Sequence, residues 1–149
     1  MSTIPSRVNF PSAVFAGATA SAVYAGEMYL DIALTGNPLD DVQLLEGALR
    51  GRKARVPVLG MLVHLLNGSA LGIVYAVVRP LLPGPNWLKG TLFGALFLVA
   101  VWPLTPVLDR IHPLIRRGEL PKFNTPVALG QNIARHLIFG LVLGLLYRD

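Results

Sequence analysis

Residues 136–147 read HLIFGLVLGLLY, and residues 64–75 read HLLNGSALGIVY. Both fit His-x3-Gly-x3-Gly-x2-Tyr, in registers 72 residues apart. With 15 glycines and 4 tyrosines in 149 residues, a given histidine would carry this tail by chance roughly three times in ten thousand, and self-similarity at a fixed period marks a duplicated unit. A weaker echo accompanies it: Gly90, Gly94 and Phe97 repeat Gly17, Ser21 and Tyr24 at a shift of 73. Together they point to a duplicated two-helix hairpin. A unit of two membrane spans restores the direction of the chain, so the halves would be parallel and related by an axis along the membrane normal.

Composition says why a membrane is invoked. Hydrophobic residues make up 53% of the chain and charged residues only 14%, where soluble domains carry about 25% charged residues. The apolar residues fall into four blocks, 12–34, 56–78, 88–108 and 126–147, each about the 20 residues that a helix needs to cross ~30 Å of hydrocarbon. Four spans occupy most of the chain, so residues 1–149 read as a single transmembrane domain: an all-α integral membrane four-helix bundle of two parallel helical-hairpin repeats. Arg7 followed by a mild apolar run and Ala22-Val23-Tyr24-Ala25 could pass for a secretion signal. Pro11 and the many alanines make a weak apolar core for one, and the segment reads as the first span.

The net charge of +5 does not point to nucleic acid, because of where the charges fall. Arg50, Arg52, Lys53 and Arg55 lie between spans one and two, and Arg110, Arg116, Arg117 and Lys122 between spans three and four. The ends and the middle loop hold Arg7, Arg79, Lys89 and Arg148. An excess of Lys and Arg marks the cytoplasmic side, which places both termini outside, in a bacterial-type inner (plasma) membrane. Basic loops beside a bilayer attract anionic lipid headgroups. There are no cysteines, which excludes disulfides, thiolate metal sites and cysteine nucleophiles.

Within the spans, small residues set the packing. Lipid is as apolar as leucine, so membrane helices associate where small side chains let backbones approach; the helix-packing positions are Gly17, Ser21, Gly68, Gly72, Gly90, Gly94, Gly140 and Gly144. The tyrosines of the repeated motif read as interface anchors. In the first inner loop Asn37 and Pro38, followed by Asp40 and Asp41, signal a helix start. Leu39, Val42, Leu45 and Leu49 share one side, so a short amphipathic helix over 38–49 is expected at the interface. Residues 109–124 repeat an apolar-basic pattern in the second inner loop. Pro103 and Pro106 should kink or end the third span.

Polar residues inside the spans form the candidate site. At 1.5 Å per residue Glu27, His64, Arg135 and His136 lie ~12–15 Å from the inner boundary, with Asn67 and Asn132 within one turn of them. Ionisable groups in hydrocarbon face inward and pair, so Glu27 is expected to partner Arg135 or a histidine in a buried cluster. One reading is structural: the groups satisfy one another and hold the helices in register. A second is passage of a proton or small cation, since histidine titrates near neutrality; few polar side chains in the outer half would carry it onward. A third is cofactor binding, with His64 and His136 as the axial pair of a haem or as (bacterio)chlorophyll ligands, and a metal held by Glu27, His64 and His136 as a variant. No Gly-x-Ser-x-Gly, phosphate loop or His-Glu-x-x-His is present, so an enzyme is not expected.

The chain resembles the small four-span bacterial membrane proteins of unknown function that carry His-x3-Gly-x3-Gly-x2-Tyr in their last span. The resemblance implies the four-span topology and no particular activity. At this size, with repeated small-x3-small ridges, the expected role is a self-assembling bundle or an accessory subunit of a larger membrane complex.

Overall fold

A computed structural model describes residues 8–149; most of the N-terminal lead-in, including Pro5 and Arg7, lies outside the described residues. Among those described the fold is all-helical: α1 (Phe10–Thr35), α2 (Asp41–Arg50), α3 (Val58–Val78), α4 (Asn86–Val101), α5 (Thr105–Ile111), α6 (Pro113–Arg116) and α7 (Pro126–Leu146). Three helical segments, Val58–Leu81, Asn86–Ile111 and Pro126–Leu146, are long and apolar enough to cross a membrane. α1 is 26 residues long, but it is built largely of small residues and carries Glu27 and Asp31.

Local chemistry accounts for the ends. Asn9 Oδ1 accepts the Ser12 N–H (3.2 Å) at the start of α1, and Thr125 Oγ1 accepts the Ala128 N–H (3.2 Å) at the start of α7. Each side chain satisfies one of the amides that a helix leaves unpartnered. α1 stops at Gly36, whose φ of 71° is a left-handed conformation that favours glycine. Pro103 and Pro106 break the third long segment as their missing N–H groups require: a 3-10 turn, Trp102–Leu104, separates α4 from α5.

α1 packs on α3, α4 on α7, and α1 on α7. At the α1–α3 crossing a Cβ on Gly17 would collide with the Gly68 carbonyl oxygen, and one on Gly72 with that of Ala13. The Ser21 hydroxyl donates to the His64 carbonyl at 2.8 Å. At the α4–α7 crossing a Cβ on Gly90 would collide with the Gly140 carbonyl, one on Gly144 with that of Asn86, and one on Gly94 with that of His136. Both crossings therefore run backbone against backbone.

Two features of the structure depart from what the sequence predicts. Tyr75 and Tyr147 are not interface anchors: they are 0% and 2% exposed, with ring centroids 5.8 Å apart, edge to face. Both rings belong to the core that holds Ala13, Phe93 and Leu143. Their hydroxyls still find partners, Tyr75 donating to the Asn86 carbonyl (3.4 Å) and Tyr147 accepting the Asn9 N–H (3.3 Å).

The second departure is at α2. It begins at Asp41, with Asp40 accepting the Gln43 N–H at 2.8 Å, not at Asn37–Pro38. The Asn37 amide donates instead to Gln131 Oε1 (3.0 Å), and the Leu39 carbonyl is held by Arg135 (3.1 Å), which keeps this stretch out of the helix. α2 packs against α3 and α6. Leu49 is exposed, while Glu46 is completely buried. The reason is the start of α3. Pro57 offers no side-chain cap, and Glu46 Oε2 accepts the unpartnered Gly60 N–H at 2.7 Å, while Oε1 takes Arg50 Nη1 at 3.1 Å.

The Gly60 N–H, with help from Arg50, holds the Glu46 carboxyl below its ordinary range against the opposing effect of burial. A carboxylate with a lowered folded value adds stability above the ordinary glutamate pKa of about 4.3 and loses it as pH falls through the folded value. Acidification to about pH 3 should therefore lower the Tm of the native chain more steeply than that of Glu46→Gln, which still offers Gly60 an oxygen but does not titrate. Parallel slopes in the two proteins would show that Glu46 is not an acid-sensitive contact.

Candidate functional site

Arg135 is fully buried. It projects from α7 towards the end of the molecule where that helix begins, the direction that helix geometry gives a long side chain. Three carboxylates surround its guanidinium: Asp31 on α1 at 2.9 Å from Nη2, Asp41 on α2 at 3.2 Å from Nη1, and Glu27 on α1 at 3.5 Å from Nε. The Glu27 contact is an ion pair without hydrogen-bond geometry, and both Glu27 Oε2 and Arg135 Nε have no other partner. Gln131 Nε2 donates to Asp31 and links Asn37 to the group. One guanidinium thus joins the first helix, the connection after it and the last helix.

Tyr24 extends this group towards the histidines. Its hydroxyl donates to Asp41 Oδ2 at 2.8 Å, with Asn132 Oδ1 at 3.4 Å as a longer contact. Its ring packs against His64 (centroids 5.2 Å apart) and His136 (5.4 Å). Each imidazole is tied to its own surroundings. His64 Nε2 lies 3.0 Å from the Ser21 carbonyl and His136 Nδ1 lies 2.8 Å from the Asn132 carbonyl. A carbonyl only accepts, so those two nitrogens carry protons, and in the neutral imidazoles Nδ1 of His64 and Nε2 of His136 are the acceptors.

Of the sequence candidates, then, Glu27 and Arg135 meet directly, while His64, His136 and Asn132 meet around Tyr24. Asn67 departs from the expectation of a buried cluster: it is exposed on α3. Nor do Glu27, His64 and His136 converge as a metal-ligand set, since no three or more His, Asp or Glu side chains do so among the described residues. Asp31 and Asp41 complete the cluster and are not among the candidates expected from the sequence. The signal for Asp31 was available, because it lies four residues after Glu27 on the same face. Asp41 resembled an ordinary helix-start acid, and only the turn after α1 folds it back to Arg135.

Beside the cluster lies a cavity of about 560 Å³ between α3 and the α4–α5 segment. α3 and α4 follow each other in sequence but do not pack along their lengths, and the cavity occupies the gap. Tyr24, His64, Asn67, Asn132 and His136 supply polar groups to its wall, and Asp41 is the charged residue that lines it. The rest is apolar, with Phe97, Trp102, Phe123 and Phe139 prominent.

Residues 8–149 match the model of DUF6789, a family of unknown function, and the chain belongs to that family. No curated protein and no solved structure matches it.

Proposed function

We propose that the chain is a small polytopic protein of a bacterial-type inner membrane, in which α1 joins the three apolar segments as a fourth span. On this reading the spans form a four-helix bundle of two parallel hairpin repeats with both termini outside, acting as a self-assembling or accessory structural subunit with no enzymatic chemistry of its own. The observation that carries the structural role is Arg135, completely buried among Glu27, Asp31 and Asp41. A buried cation met by carboxylates from two other elements is a latch between helices. Support for the repeat comes from the crossings: Gly17 on Gly68 and Gly72 on Ala13 in one, Gly90 on Gly140 and Gly144 on Asn86 in the other, matched at shifts of 72 and 73.

The inner loops support a lipid-facing basic end. His112 Nε2 donates to the Leu44 carbonyl (2.9 Å) and Arg117 Nη2 to the Gly51 carbonyl (2.7 Å), so both basic stretches lie together, with Arg52, Lys53, Arg55, Arg116 and Lys122 exposed. Anionic headgroups are the partner that fits them.

Conduction through the cluster has less support, because outward of it the core is filled by Ala13, Tyr75, Leu143 and Tyr147. Axial haem or (bacterio)chlorophyll ligation by the histidine pair also has less, because the Tyr24 ring already packs against both imidazoles. Reconstitution separates the three. The purified protein should be colourless, and proton flux in liposomes should stay at background for both the native chain and Glu27→Gln. A Soret or chlorophyll band lost in His64→Ala and His136→Ala, or a flux abolished by Glu27→Gln in a still-folded protein, would replace the structural reading. The chain has no cysteine, so single cysteines can test topology. An impermeant maleimide applied to intact cells should label Pro83→Cys and not Arg52→Cys.

A further inference from the structure

We infer that the opening between α3 and the α4–α5 segment binds a lipid-soluble quinol, a neutral ring that carries hydroxyl groups and an apolar tail. The inference rests on the membrane reading above and adds a ligand to it. It begins with an asymmetry. On one side of the molecule α1 packs on α7 and the Arg135 cluster fills the contact; on the corresponding side α3 and α4 stand apart. At shifts of 72 and 73, the positions equivalent to Arg135, Glu27 and Asp31 are Val63, Ala100 and Leu104, so no ionic latch draws the second side closed. The resulting cavity of about 560 Å³ lies within the roughly 300–1,000 Å³ of small-molecule sites.

Its polar groups specify the ligand. Asn67 lies nine residues into α3, ~14 Å from its inner end and near the middle of the span. It lines the cavity and its side-chain amide forms no hydrogen bond with any described residue. On the membrane reading its exposed face meets hydrocarbon or the cavity, where an amide without a partner is costly, so a polar group entering the cavity would find a free donor and acceptor in it. Nδ1 of His64 and Nε2 of His136 are lone pairs, which ask for a ligand that donates. Arg135 is not in the wall, and the charged residue that is, Asp41, is acidic. A phosphate or carboxylate head would find no cation there. Phe97, Trp102, Phe123 and Phe139 offer the faces and edges against which a planar ring packs. A neutral planar head with hydroxyl hydrogens and an apolar tail meets all four conditions.

Trp102 lies in the cavity wall and reports on occupancy. In a Trp87→Phe background, Trp102 emission is followed while a reduced short-chain alkyl benzoquinol is titrated, without oxygen, into the full chain in detergent. A saturable change is expected. Asn67→Leu should weaken it three- to tenfold, the value of one hydrogen bond, and Ala70→Phe, at an exposed lining position, should abolish it with the Tm kept. The oxidised quinone, which cannot donate to the imidazoles, should bind at least threefold more weakly. A change that never saturates, or one that neither substitution alters, overturns the site. Equal binding of the oxidised form, or tighter binding of phosphatidylglycerol or palmitate, overturns the assignment of a neutral donor head. Recovery of the chain in the soluble fraction would instead sink the membrane reading.

Discussion

Arg135→Met is expected to destabilise the fold by about 3–5 kcal/mol, the usual cost of removing one partner from a buried ionic network. For a chain of this size that is a fall in Tm of roughly 10 °C. The physical cause is what remains: Glu27, Asp31 and Asp41, converging on the space the guanidinium held, and a Leu39 carbonyl stripped of its donor. Two further variants separate charge from geometry. Arg135→Lys keeps the charge but cannot fork towards three carboxylates, so its Tm should fall in between. Arg135→Met combined with Glu27→Gln, Asp31→Asn and Asp41→Asn removes the whole network and should recover most of the loss, since replacing every member costs far less than stranding some. Thermal unfolding in detergent reads all three. A native-like Tm for Arg135→Met alone would show that the cluster holds nothing together.

The second large effect is at the glycine ridges. A valine at Gly140 would drive its Cβ into the Gly90 carbonyl, and a backbone atom in a packed helix cannot step aside as a flexible side chain can. A loss of about 3 kcal/mol, the upper end for an overpacked core, is expected in the same assay. Gly26 and Gly130 have nothing near the place where a Cβ would stand. Alanine at either should gain up to about 1 kcal/mol, because glycine in mid-helix is entropically costly. If Gly26→Ala and Gly140→Val shifted the Tm alike, the ridges would not be contacts between backbones.

Much of this architecture is written in single helices and can be read there. Apolar length marks Val58–Leu81, Asn86–Ile111 and Pro126–Leu146, proline chemistry marks the break at Trp102–Leu104, and small-x3-small spacing marks the faces that cross. What the chain hides depends on pairs of elements. Glu46 turns inward because α3 starts with an amide that needs an acceptor, a demand made fourteen residues away. Tyr75 and Tyr147 have the composition of interface residues, and only the depth of the glycine contacts encloses them. Counting residues from the boundary sets Asn67 within one turn of Arg135 but says nothing of its position around its helix, and the structure leaves it open to the cavity. The cavity itself exists because one pair of helices associates and its counterpart does not. No periodicity within either helix records that choice.

The latch also has a consequence in time. Its carboxylates belong to α1 and α2, and its guanidinium to α7, which emerges from the ribosome after them. On the four-span reading, α1 enters the bilayer with Glu27 and Asp31 uncompensated, and it is also the long helix with the least apolar surface to hold it there. Its insertion is therefore provisional until α7 arrives, and a nascent chain halted before residue 126 would carry a first helix free to slip back into water. On that reading a single arginine, made after the carboxylates it pairs with, is what holds the first helix in place.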